Sequence, residues 1–81
     1  MKIEVRLFAV ARQLANQETI AVSCPESATI ADLKQAIIEQ LPELATILDH
    51  VRFAVNSDYA DEKTQLSSTD EVACIPPVSG G

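Results

Sequence analysis

The sequence predicts an α+β domain, a small mixed sheet packed on one main helix, and three observations carry that prediction. Ile30, Leu33, Ile37 and Leu41 recur at three- and four-residue steps, which lays one apolar stripe along a helix. Short segments on either side of it alternate polar with apolar residues or are rich in β-branched and aromatic ones, and each is bounded by turn-forming residues. The chain has 81 residues, enough for one domain and one core. A single amphipathic helix against a few strands is a two-layer arrangement.

The elements follow in order. Lys2-Ile3-Glu4-Val5-Arg6-Leu7-Phe8 alternates with the period of a half-buried strand, so Ile3, Val5 and Leu7 are expected to face the core and Phe8 the other side. A short helical turn is expected over Ala11–Leu14, then a strand over Thr19–Ser23 that the Cys24-Pro25-Glu26-Ser27 loop stops. Thr29 is placed to cap the main helix, with Asp32 completing a capping box. Pro42 disfavours helix at Leu41 and should end it there. Glu43–Leu48 reads as a shorter helix that packs Leu44, Ile47 and Leu48.

Arg52–Asn56 reads as a strand, closed by the turn signal Asn56-Ser57-Asp58. Tyr59–Thr64 is expected to hold a brief edge strand and a turn. Glu71–Ile75 is the last strand, with Val72 and Cys74 inward and Ala73 and Ile75 outward, and Pro76-Pro77 ends it. First and last strands side by side in such a sheet make the β-grasp arrangement. The expected organisation is a domain over 1–77 and a flexible C-terminal tail over 78–81.

Composition narrows the function. Twelve acidic and six basic side chains give a formal charge of −6, and the cations Lys2, Arg6, Arg12, Lys34, Arg52 and Lys63 are scattered singly. Nucleic acid binding needs a clustered basic footprint, so nucleic acid is not an expected partner; an acidic surface would instead steer basic ones. The longest apolar run near the start, Leu7–Ala11, is shorter than a signal-peptide core of about 7 residues, and nothing approaches the roughly 20 needed to span a bilayer. A cytoplasmic protein with no membrane partner is expected, with Cys24 and Cys74 reduced and packed in the core.

The side chains offer no familiar catalytic constellation. His50 is the only histidine, Asp61-Glu62 and Asp70-Glu71 lie in polar loops, and no cysteine spacing suits a metal, so no metal site is expected. Arg12 could contact an acidic partner or pair with a nearby acid. The glycines are more informative: both stand at the end, Gly80 and Gly81. At about 7% glycine, chance ends a chain this way roughly once in 200 times. A terminal carboxylate is a poor electrophile until activated, for instance as an acyl-adenylate, and a thin glycine tail can enter another protein's narrow active site. Pro76-Pro77 stiffens the exit, and Val78–Gly81 reaches at most about 14 Å beyond it. Val78 offers an apolar grip and Ser79 a hydrogen-bonding one. If the first and last strands pair, Phe8 and Ile75 form an apolar patch beside the root of the tail, the kind of surface that marks protein interfaces.

Leu7-Phe8-Ala9-Val10-Ala11-Arg12, Ala54-Val55-Asn56, and above all Asp70-Glu71-Val72-Ala73-Cys74-Ile75-Pro76-Pro77-Val78-Ser79-Gly80-Gly81 resemble the sulfur carrier subunits of molybdopterin synthase, which are ubiquitin-like. The resemblance spans essentially the whole chain. It implies that an E1-like adenylyltransferase, using ATP and Mg²⁺, adenylates Gly81, and that a sulfur donor system converts the adenylate to a thiocarboxylate. The tail then enters the large synthase subunit, where the sulfur attacks cyclic pyranopterin monophosphate on the way to the dithiolene of molybdopterin, usually in a heterotetramer. On this reading Gly81 carries the sulfur, Gly80 gives clearance, and Phe8, Ile75, Pro76, Pro77, Val78 and Ser79 meet the partner. The chain binds no cofactor of its own and donates sulfur within an enzyme complex whose catalytic side chains lie on the large subunit. The relatives often carry an aromatic residue where this chain has Cys74 or Ile75. The competing expectations are a thiamine-pathway sulfur carrier and a ubiquitin-like protein modifier.

Overall fold

The structure, a computed structural model, describes residues 1–77; Val78–Gly81 lie outside the described residues. The elements run β1 (Lys2–Leu7), α1 (Ala9–Ala15), β2 (Thr19–Ser23), α2 (Ile30–Gln40), a 3-10 turn (Pro42–Leu44), α3 (Ala45–Leu48), β3 (Arg52–Val55), β4 (Asp58–Ala60) and β5 (Val72–Ile75). The sheet order is β2-β1-β5-β3-β4. β1 and β5 are parallel, whereas the β1–β2, β3–β5 and β3–β4 pairs are antiparallel, so the sheet is mixed and the fold is the ubiquitin-like β-grasp.

The alternation in β1 holds: Ile3, Val5 and Leu7 are buried, and Lys2, Glu4 and Arg6 are exposed. They meet Ile20 and Val22 of β2, Phe53 of β3, and Val72 and Cys74 of β5 under the apolar face of α2, where Ile30, Leu33 and Ile37 are buried. Leu41 is half-buried at the helix end. Each fully buried aliphatic or Phe side chain contributes about 2 kcal/mol by leaving water.

Thr29 caps α2 as its sequence predicts. Its hydroxyl accepts from the Asp32 backbone N–H, and the Asp32 carboxylate accepts from the Thr29 N–H at 3.0 Å. The next two free amides of the first turn, on Ile30 and Ala31, donate to the Thr64 and Glu62 carbonyls. The segment after β4 is thereby stitched to the helix, and Leu66 packs beneath it. At the other end of α2 the Gln40 side-chain amide donates to the Ala21 carbonyl at 2.8 Å, on the open edge of β2.

Three local expectations are corrected. The first helix is longer than expected and begins at Ala9, because Phe8 leaves the strand as an extended residue at the helix start. Ala9 then takes a left-handed φ of 51° and turns the chain out of the sheet. Asn56 and Glu71, read as strand ends, lie just outside β3 and β5 and bond to each other instead. The edge strand left indistinct within Tyr59–Thr64 starts earlier, at Asp58.

Candidate interaction face and C-terminal root

β5 lies between β1 and β3, and its register builds the candidate site. Arg6 pairs with Ala73, Ala73 with Ala54, and Ala54 with Tyr59. Partners across a sheet share a face, so these four residues form one row on the side away from α2. Arg52 pairs with Ile75 in the next row toward the tail, and the Phe8 N–H donates to the Cys74 carbonyl, which carries Phe8 alongside β5. Phe8, Ile75, Arg6, Tyr59, Ala54 and Ala73 line one shallow groove.

Phe8 is 41% exposed and Tyr59 66% exposed, whereas Ile75 is partly covered. The two alanines make a low floor, and each aromatic ring carries an arginine. The Arg6 guanidinium carbon stands 5.7 Å from the Phe8 ring centre, and that of Arg52 stands 4.6 Å from the Tyr59 ring centre. Contacts of this kind contribute about 0.5–1 kcal/mol at exposed sites and hold a long side chain in one place. Sequence reasoning paired Phe8 with Ile75 but missed Tyr59, Arg6 and Arg52. Only the β5-β3-β4 order brings Tyr59 to this face, and no local periodicity carries that order.

Pro76 and Pro77 differ. Pro76 is buried and Pro77 is exposed. Both are expected to meet a partner; of the two, Pro77 is open to one, while Pro76 is covered where the chain leaves β5. The other expected site residues, Val78, Ser79, Gly80 and Gly81, lie outside the described residues.

At the opposite end of β5 a hydrogen-bonded clasp sets its start. The Asn56 N–H donates to the Glu71 carbonyl, the Glu71 N–H donates to Asn56 Oδ1, and Asn56 Nδ2 donates to Asp70 Oδ1 at 3.0 Å. Asp70 Oδ2 accepts from the Ser67 N–H at 2.8 Å. The Ser67 amide first, then the Asn56 side chain, hold the Asp70 carboxyl below its ordinary range.

The remaining candidates resolve simply. Cys74 is fully buried, and loss of water pushes its thiol up to about 11, so at neutral pH it is a protonated core residue. Burial also raises Cys24. Arg12 pairs with Glu18 at 3.1 Å on the surface, the structural alternative its sequence left open. Among the described residues no polar or charged side chain is buried, and no group of three or more His, Cys, Asp or Glu is placed to hold a metal. No helix among them is long and apolar enough to cross a membrane.

A β-grasp sheet backed by one helix, with an apolar face beside the outlet of a glycine-ended segment, defines a protein of the ubiquitin-like class. The chain belongs to the ThiS family, whose model matches residues 5–81. A molybdopterin synthase sulfur carrier subunit from Chlamydomonas reinhardtii is 36% identical over 83 residues, covering 100% of both chains. Small archaeal modifier protein 1 from Haloferax volcanii superposes with a TM-score of 0.88 at 29% identity, covering 100% of each chain. A chain of the protein–protein complex of subunits 1 and 2 of the molybdopterin-converting factor from Helicobacter pylori is also similar, with a TM-score of 0.69, 27% identity and 100% coverage of both chains. The family matches the resemblance read from the terminal motif.

Proposed function

We propose that the chain is the sulfur carrier subunit of a molybdopterin synthase and works through its terminal carboxylate. The observation that carries this reading is the construction of the outlet. A central strand, gripped on both sides, ends at buried Pro76 beside an apolar face, and the next residues run to Gly80-Gly81. A root in the sheet, an apolar face beside it and a glycine end in the sequence support this reading, with the chemistry left to partners.

In the proposed cycle the Gly81 carboxylate attacks the α-phosphorus of ATP on an E1-like adenylyltransferase, and pyrophosphate leaves. A sulfur donor system displaces AMP and leaves a thiocarboxylate. The carrier then docks on the large synthase subunit, where the thiocarboxylate sulfur attacks cyclic pyranopterin monophosphate. Hydrolysis of the resulting acyl link leaves sulfur on the pterin and returns the carboxylate; a second charged carrier completes the dithiolene. ATP and Mg²⁺ belong to the activating enzyme, and this chain's share is to present Gly81, with Gly80 for clearance and Val78 and Ser79 as grips in the partner's channel.

The test is conversion of cyclic pyranopterin monophosphate to molybdopterin by thiocarboxylated protein plus a synthase large subunit, with a variant lacking Gly81 as control. Product from the intact carrier alone supports the reading. Absence of product, with the thiocarboxylate verified by mass and a control carrier active, overturns it in favour of a thiamine-type client.

The likeness to small archaeal modifier protein 1 favours a second reading, a modifier joined to lysines of other proteins. Isopeptide adducts ending in Gly81, found by mass spectrometry after adding ATP and lysate, would support it.

A further inference from the structure

The net charge of −6 points to basic partners, yet two arginines stand on the face beside the tail root. Arg6 and Arg52 stand on either side of the Ala73–Ile75 floor, each laid against an aromatic ring. Among the described residues the ion pairs are Arg12–Glu18 and Lys34–Glu62, so neither of these two arginines has a described residue's carboxylate within 4.0 Å. Glu4 and Glu71 of the same face lie one row further from the tail and border an adjoining depression with Ser68 and Asp70; Arg6 lines it too, and Glu71 also reaches the groove. Arg6 thus stands between the groove and these carboxylates, and Arg52, which also borders a depression with Asp61 and Glu62, stands nearer the tail.

We propose that Arg6 and Arg52 are the specificity contacts of the docking face, and that they receive a protein surface presenting an apolar side chain between two carboxylates. The occupant is the large synthase subunit, so the inference rests on the function proposed above and names the chemistry of that partner's surface. A guanidinium stacked on a ring keeps its N–H edge free and preset, which lowers the ordering cost of a two-pronged bond to a carboxylate. Arginine beside an aromatic anchor is also the pairing that dominates interface energies. An apolar side chain from the partner fits the low alanine floor between them, and the carboxylates fix its register as the tail enters. A carrier with uncharged residues at these two positions would dock poorly on this partner, which makes the pair a filter between sulfur-accepting clients.

The test is binding of the intact protein to the large synthase subunit of the same organism by isothermal titration calorimetry, at low and high salt. Arg6→Glu and Arg52→Glu should each weaken binding about tenfold, and the double variant about a hundredfold. Lys63→Glu, the same charge change on the turn after β4, should bind like the parent. The double variant should also lose most of the salt dependence. Thermal melts of all four variants establish that each is folded, since Arg6 and Arg52 are exposed. If the parent binds and both arginine reversals bind as tightly as Lys63→Glu, the inference is overturned while the proposed function stands. If the parent itself fails to bind, the functional reading falls and takes this inference with it.

Discussion

Among the described residues five non-glycine residues have positive φ, Ala9, Asn16, Ser27, Asn56 and Ser57, in a chain that keeps its glycines for the end. Asn56 and Ser57 form the two-residue loop between β3 and β4, and both have positive φ, as the tight hairpin turn requires. Asparagine tolerates that region, while serine, with a Cβ and a short side chain, is strained there. Ser57→Gly should therefore raise stability by about 1 kcal/mol, read as a higher urea midpoint at unchanged slope. Cys74 gives a prediction in pH. Its folded thiol stays protonated to about 11, whereas the unfolded one titrates near 9.0, so the folded state holds the extra proton between those values. The Cys74 contribution to stability should be level below pH 8 and fall as pH rises from about 9 to about 11, and that part of the slope should vanish in Cys74→Ala.

At the scale of elements, α2 and the strands were legible because each carries its own period. Ile30, Leu33 and Ile37 announce a helix face, and Ile3, Val5 and Leu7 a strand face, whatever the rest of the molecule does. The capping box at Thr29 was equally local. Thr29→Ala should cost about 1 kcal/mol, seen as a lower melting temperature with the same native circular dichroism. What could not be read was anything that depends on strand order. Tyr59 shares a row with Arg6 through two intervening strands, and Pro76 is buried because a central strand ends beneath its neighbours. The outward assignments of Phe8 and Ile75 came from alternation alone, but their meeting needed the parallel pairing of β1 with β5. Phe8 itself had already left the strand, a change that a strict two-residue period conceals.

For the whole molecule, fold and proposed activity are separable. The core elements end at Ile75, and the working residues follow Pro77. One residue added after Gly81 should leave the melting temperature within error of the parent and abolish thiocarboxylate formation, measured by intact mass after incubation with the activating enzyme, ATP and a sulfur source. Asn56→Ala acts in the opposite sense. It removes the two side-chain bonds of the clasp, to Asp70 and from the Glu71 N–H, leaves the backbone bond to the Glu71 carbonyl, and should lower stability by about 1–2 kcal/mol while the terminus can still be charged.

The bond from Gln40 to the Ala21 carbonyl bears on the two open borders of the sheet. A strand arriving from another copy needs a row of free carbonyls to template it. On the β2 border the central one is already taken by a side chain, and the β4 border offers only three residues. Growth toward fibrils is thereby discouraged on both sides, so a cell could stockpile the protein while its flat face stays open to visitors. Gln40, far from any chemistry, would then govern shelf life rather than turnover.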